Sequence, residues 1–136
     1  MQFSGVMCAA IMAATASAVR VSWDAGYDRA DRSLTEVACS GGKRGLMPTY
    51  QKQGDLPNFP SIGGAAAIGA WGSDDCGSCW KLDYDGLSIK VLAIDHAGDG
   101  FNIGQAAMNA LTNGRAVEFG HVDATATPLT PQECGL

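Results

Sequence analysis

The sequence has little of what metal centres, membrane spans and nucleic-acid-binding surfaces require. It contains only two histidines, His96 and His121, and they do not fall into a metal-binding spacing with the cysteines. Lysine and arginine number 9 against 14 aspartate and glutamate residues, so the formal net charge is −5. This balance disfavours attraction to phosphate backbones and anionic membranes. We therefore expect no metal, no cofactor, no nucleic acid and no membrane partner, and a neutral ligand fits the composition better.

Charge is also absent from the first 18 residues. The segment from Val6 to Ala18 is apolar and ends in Ala16-Ser17-Ala18. Small side chains at those positions are what signal peptidase accepts, and the run is shorter than the roughly 20 residues that cross a bilayer. The sequence predicts a signal peptide over residues 1–18 and one secreted domain over 19–136. A buried N-terminal helix or a membrane anchor is the alternative.

Cysteine usage also favours an extracellular protein. Cleavage after Ala18 removes Cys8 and leaves Cys39, Cys76, Cys79 and Cys134. An even number in a short secreted chain predicts two disulfides, and three pairings are open. Cys76 and Cys79 also have the C-x-x-C spacing of redox motifs, although no βαβ pattern surrounds them.

Short apolar runs separated by glycine predict a mainly β fold with small helices. About six strands are expected, and closure into a barrel would remove their unpaired edges. The segments that carry this prediction are a hairpin of Cys79–Tyr84 and Leu87–Ile94 across Asp85-Gly86, strands at Ser33–Cys39 and Ala116–Thr127 with a bulge at Gly120, and a helix at Asn102–Leu111 closed by Asn113-Gly114.

Several segments together resemble one known family. The densest reads Trp71-Gly72-Ser73-Asp74-Asp75-Cys76-Gly77-Ser78-Cys79-Trp80, and others are Val21-Ser22-Trp23-Asp24, Val91-Leu92-Ala93-Ile94-Asp95-His96-Ala97 and Gly100-Phe101-Asn102-Ile103-Gly104. On these motifs the chain is identified as a member of the cerato-platanin family. The resemblance implies a six-stranded double-psi β-barrel, similar to the first domain of expansins. It also implies the disulfides Cys39–Cys76 and Cys79–Cys134.

The candidate binding residues follow from the residue types and from this resemblance. Asp95 comes after the apolar run Val91 to Ile94, where a carboxylate can accept hydrogen bonds from sugar hydroxyls or from an N-acetyl amide. The alternative for Asp95 is a turn aspartate that bonds backbone amides. Asn102 either lines the same site or caps the following helix. Tyr27, Ser33 and Thr35 could add hydroxyl contacts, and an exposed Trp71 could stack on a sugar ring.

The resemblance also implies a function. It predicts a monomeric protein, secreted into the medium and the fungal cell wall. Such a protein binds chitin or N-acetylglucosamine oligomers, with cellulose as a second candidate. It loosens polysaccharide without hydrolysis and elicits plant defences through a plant receptor.

Two other functions remain open. One is a glycoside hydrolase acting on β-1,4-glucans, with Asp95 as a catalytic carboxylate and a second acid from Asp83, Asp123 or Glu118. The other is a surface protein that self-assembles at interfaces.

Overall fold

A computed structural model describes residues 17–136. Most of the predicted signal peptide, residues 1–16, therefore lies outside the described residues. The strands are β1 (Ser17–Trp23), β2 (Ile62–Ala65), β3 (Cys79–Tyr84), β4 (Leu87–His96), β5 (Phe101–Ile103) and β6 (His121–Leu129). The helices are α1 (Gln105–Thr112) and α2 (Ala116–Phe119), with short 3-10 helices at Ala25–Asp28, Leu34–Glu36, Gln53–Asp55 and Pro131–Cys134.

The six strands form a closed barrel in the order β1-β5-β2-β4-β3-β6, and β6 pairs with β1 to complete the ring. The sheet is mixed, since β1–β5 and β2–β4 are parallel and the other neighbours are antiparallel. The predicted six-stranded double-psi β-barrel is confirmed. Each of the six strands among residues 17–136 therefore has a neighbouring strand on both sides.

Apolar side chains fill the barrel. Val21, Leu82, Leu92 and Ile94 are fully buried from three different strands. Met108 and Leu111 of α1 are also fully buried, and α1 packs against β4 and against the 3-10 helix Ala25–Asp28. This packing fixes the 3-10 helix beside the end of β4.

Both disulfides implied by the resemblance are present, Cys39–Cys76 and Cys79–Cys134. The redox interpretation of the C-x-x-C spacing is therefore wrong, because Cys76 and Cys79 belong to different bridges. All four half-cystines are buried.

The hairpin is confirmed as β3 and β4, which turn at Asp85 and Gly86, both with positive φ. Three other segment predictions need correction. Ser33–Cys39 is not a strand, because the Ser33 hydroxyl accepts from the Thr35 N–H and starts a 3-10 helix. The predicted helix at Asn102–Leu111 begins only at Gln105, and β5 precedes it. Residues 116–119 are helical, and Gly120 ends α2 rather than forming a bulge.

Candidate functional site

A row of polar residues crosses four neighbouring strands of the barrel. Gly64 on β2 lies in register with Asp95 on β4 and with Asn102 on β5. Asn102 in turn lies opposite Ser22 on β1, whose hydroxyl is 3.1 Å from the Asn102 Oδ1. Residues directly opposite each other project to the same face of a sheet. We call Asp95, Gly64, Asn102 and Ser22 the polar row.

The position in the middle of the polar row is a glycine, Gly64, because no side chain fits there. A Cβ at Gly64 would lie 2.7 Å from the His96 carbonyl oxygen and 3.3 Å from the Tyr27 hydroxyl. The missing side chain leaves room for the Tyr27 hydroxyl, which bonds the Asp95 carboxylate at 2.8 Å.

The Asp95 carboxylate is held by three donors. Its Oδ1 accepts from the backbone N–H groups of Ala38 and His96, both at 2.9 Å, and its Oδ2 accepts from the Tyr27 hydroxyl at 2.8 Å. The turn-aspartate alternative therefore describes part of its role. A carboxylate has about four acceptor positions, so about one remains for a ligand.

Tyr27 is fixed in place from several sides. Its ring is buried, and the Arg32 guanidinium lies 5.4 Å from the ring centroid. Burial is the main cause that raises the pKa of the Tyr27 phenol well above its ordinary value, and the hydrogen bond to Asp95 acts in the same direction. Tyr27 therefore stays a neutral hydrogen-bond donor at physiological pH.

Asn102 does not cap the helix that follows it. The residue at the N-cap position of α1 is Gly104, and the Asp28 carboxylate accepts from the N–H groups of Gln105 at 2.6 Å and Ala106 at 2.9 Å. Asn102 instead lies in β5, half-buried, with its Oδ1 facing Ser22. Among residues 17–136 its amide Nδ2 donates to no protein group, so two N–H bonds are available to a ligand.

Ser33 and Thr35 lie on the segment that packs beside Asp95. Their hydroxyl oxygens are 2.8 Å apart, and the Ala38 N–H of the same segment binds Asp95. Neither hydroxyl contacts Asp95 or Asn102 directly. They flank the polar row rather than belong to it.

Trp71 is 64% exposed. It contacts the other end of the segment that carries Ser33 and Thr35, at Ser40 and Gly41. Its indole N–H donates to the Ser40 hydroxyl at 3.2 Å, and its ring lies against Gly41, where a Cβ would come within 2.9 Å of the indole. One ring face therefore rests on the backbone while much of the indole stays open to solvent. Such a ring can stack on a sugar.

Sequence reasoning missed Ser22 and Gly64 as site residues. Only strand pairing places Gly64 between Asp95 and Asn102 and Ser22 beside Asn102. The Gly63-Gly64 pair carried a signal, because adjacent glycines inside an apolar run indicate a close backbone approach.

A hydrolase would need a second carboxylate beside Asp95. Two of the three candidates, Asp83 and Asp123, do not lie beside it. Asp83 pairs with Ser88, which is seven residues along β4 from Asp95, or about 23 Å at roughly 3.3 Å per residue. Asp123 lies on β6, which is separated from β4 by β3 on one side of the barrel and by β1, β5 and β2 on the other. Glu118 is exposed on α2. Glycoside hydrolysis needs separations of roughly 5 to 9.5 Å.

Within the described part of the chain, no group of three or more histidine, cysteine, aspartate or glutamate residues could hold a metal ion. Over the same residues, no helix combines the length and apolar character needed to cross a membrane.

Comparison with known proteins gives a consistent result. The family model described as cerato-platanin matches residues 19–136. Allergen Asp f 15 of Aspergillus fumigatus is 47% identical over 116 residues, which is 85% of this chain and 76% of the relative. The crystal structure of cerato-platanin 2 from M. perniciosa is 43% identical with a TM-score of 0.86, covering 88% of this chain and 100% of the other. The solution structure of the fungal elicitor cerato-platanin is 37% identical with a TM-score of 0.78, covering 85% and 96%. The chain therefore belongs to the cerato-platanin family.

Proposed function

We propose that the protein binds chitin or N-acetylglucosamine oligomers along the polar row and loosens their packing without hydrolysis. The observation that carries this proposal is the pair of half-buried groups, Asp95 and Asn102, that flank Gly64 and retain hydrogen-bonding capacity. One residue supplies an acceptor and the other supplies donors, which is what hydroxyl and acetamido groups require.

The spacing of the row favours an extended ligand. Asp95 and Asn102 are separated by one strand, so their backbones are about 10 Å apart at roughly 4.8 Å per strand. A single sugar hydroxyl cannot reach both side chains. An oligosaccharide lying across the strands would contact both, and Trp71 would stack on a further ring.

The proposed loosening is a competition for hydrogen bonds. Protein groups replace glycan–glycan hydrogen bonds, and each exchange changes the free energy by only about 1 kcal/mol. Few hydrogen-bonding groups of the polar row are free to bind a glycan, because Asp95 already accepts three hydrogen bonds from the protein. Binding should therefore be weak and reversible, with affinity that increases with glycan length.

We further propose that the protein is secreted into the medium and the cell wall, as a monomer, and acts on plants as an elicitor. The predicted signal peptide and the two disulfides favour the extracellular location. The elicitor role rests on the related structure that is named a fungal elicitor.

Binding to insoluble chitin, with cellulose in parallel, tests the glycan proposal. The oxidised mature protein is compared with Asp95→Asn, Tyr27→Phe and Trp71→Ala, and reducing ends are measured in the supernatant. We expect retention on chitin, weaker retention in all three variants and no release of sugar. Trp71→Phe should recover part of the binding, because a ring remains available for stacking.

Asp85→Asn is the matched control for Asp95→Asn. It removes the same charge at the opposite end of β4, in a turn with φ of 48° that asparagine tolerates. Equal loss of binding in both variants would indicate an effect of net charge and contradict the proposal. Sustained sugar release that Asp95→Asn abolishes would establish hydrolysis instead.

A further inference from the structure

The segment that precedes β5 lies against the start of β1. These strands are parallel, with Val21 opposite Phe101 and Ser22 opposite Asn102. If the same register continues two residues toward the N-terminus of both segments, Asp99 lies opposite Val19. Gly100 shows how close the backbones are, because a Cβ there would overlap the Arg20 carbonyl oxygen.

Asp99 and Val19 also border the same cavity at one end of the barrel. The cavity has a volume of about 500 Å³. Its walls are mostly apolar and include Trp80, Phe101 and Pro128. Asp99 supplies its negative charge. The Asp99 side chain is exposed, and over residues 17–136 it accepts no hydrogen bond and forms no ion pair.

Processing of the N-terminus would place a cation at this position. Ser17 and Ala18 are exposed, and they extend β1 by pairing with Ala126 and Thr125. The predicted cleavage after Ala18 removes both residues and leaves Val19 as the first residue. The family match also begins at residue 19.

We propose that Asp99 is the binding site for the α-ammonium group of the processed chain, so that cleavage after Ala18 creates an ion pair between Val19 and Asp99. This pair joins the first residue of β1 to the loop before β5 and completes the rim of the cavity. The inference rests on the predicted cleavage and is independent of glycan binding.

Other ionisable groups surround the pair and set the pH range of the test. The Arg20 guanidinium on β1 lies 3.3 Å from the His121 Nδ1 on β6, and Asp123 lies opposite Arg20. The neighbouring strands also carry Lys81, which pairs with Asp83 at 3.7 Å, and His96 and Asp95 at the end of β4. An unfolded terminal amine titrates near about 7.7–8.0, so the measurements run from pH 7 to 9.5.

Two mature chains that begin at Val19, with Asp99 or Asp99→Asn, test the proposal by thermal unfolding. Pairing raises the pKa of the ammonium in the folded state, so the stabilisation is present at pH 7 and is lost as the pH rises through that pKa. We expect Asp99→Asn to lower the Tm by about 1–4 °C at pH 7 and by less at pH 9.5.

A second pair of chains that begin at Ser17 separates this ion pair from a general role of Asp99. Their α-ammonium lies two residues away from Val19, so Asp99→Asn should leave their Tm unchanged at pH 7. Asp85→Asn in the mature chain controls for the change in net charge. An equal Tm decrease in the short and extended chains, or no decrease in either, would overturn the proposal. So would N-terminal sequencing of the secreted protein that finds a first residue other than Val19.

Discussion

The Tyr27 hydroxyl donates a hydrogen bond to the Asp95 Oδ2 at 2.8 Å and joins residues that are 68 positions apart in the sequence. Tyr27 belongs to the first 3-10 helix, and Asp95 lies near the end of β4. The same hydroxyl is next to the place where Gly64 lacks a Cβ. This one bond therefore holds the Tyr27 hydroxyl beside Gly64 and orients the Asp95 carboxylate.

This bond should make the fold sensitive to alkaline pH. Burial and the bond to Asp95 raise the pKa of Tyr27 in the folded protein, whereas the unfolded phenol titrates near about 10. Above that pH the folded state binds more protons than the unfolded state, so the free energy of unfolding falls as the pH rises. Tyr27→Phe should therefore lose less stability than the parent between pH 9 and 11, as measured by urea denaturation. Tyr84→Phe is the control, and identical slopes for the parent and Tyr27→Phe would contradict the prediction.

Two substitutions at Asp95 should differ strongly in stability. Asp95→Ala leaves the Ala38 and His96 N–H groups and the Tyr27 hydroxyl without their acceptor, which should cost about 3 kcal/mol. Asp95→Asn keeps an oxygen for the two backbone donors, so its cost should be nearer 1 kcal/mol. Chemical denaturation of both variants measures the difference. Equally small losses of stability in the two variants would show that the three bonds contribute little. If Asp95→Ala is much less stable than Asp95→Asn, the asparagine variant is the better one for binding assays.

Local patterns predicted the parts of the fold that local forces determine. The β3–β4 hairpin follows from the Asp85-Gly86 turn between two strand-forming segments. Asn113 ends α1 in the left-handed conformation, in agreement with the Asn113-Gly114 signal. Both features depend on residues close together in the sequence.

Long-range pairing determined the parts that were predicted wrongly. Asn102 has the spacing of a helix N-terminus, yet β5 forms because β1 and β2 pair with it from both sides. Its capping role passes to Asp28, 77 residues away from Gln105. Likewise Asp95 and Trp71 were identifiable as residue types, but their connection through the segment from Ala38 to Gly41 depends on tertiary contacts.

The disulfides should dominate the resistance of the protein to heat. They close sequence separations of 37 and 55 residues, and chain entropy assigns about 4 kcal/mol to each. Together they are comparable to the whole stability of a small domain. We expect a large decrease in the Tm after denaturation with reductant and alkylation of the thiols, as measured by circular dichroism. Because all four half-cystines are buried, native protein treated briefly with reductant should keep its Tm. A rapid loss of the Tm under native conditions would mean that a bridge is accessible.

Asp28 should control both stability and glycan binding, although it does not belong to the polar row. Its carboxylate accepts two backbone N–H groups at the positive end of α1 and thereby anchors the 3-10 helix that carries Tyr27. Asp28→Ala should lower the free energy of unfolding by about 1–2 kcal/mol. It should also weaken binding of a soluble N-acetylglucosamine tetramer several-fold by loosening Tyr27.

Calorimetry and denaturation of Asp28→Ala, Asp28→Asn and Asp24→Ala separate the two effects. Asp28→Asn keeps an acceptor for α1, so it should recover most of the affinity. The Asp24 side chain accepts from the Gly26 N–H at 2.8 Å and caps the start of the same 3-10 helix, so Asp24→Ala is the control for losing a cap that does not contact α1. An Asp28→Ala variant that is destabilised but binds the tetramer as the parent does would show that Tyr27 holds its position through Asp95 and Arg32 alone. Weaker binding in step with the loss of the cap would show that α1, although it does not contribute a residue to the polar row, sets the geometry of the site.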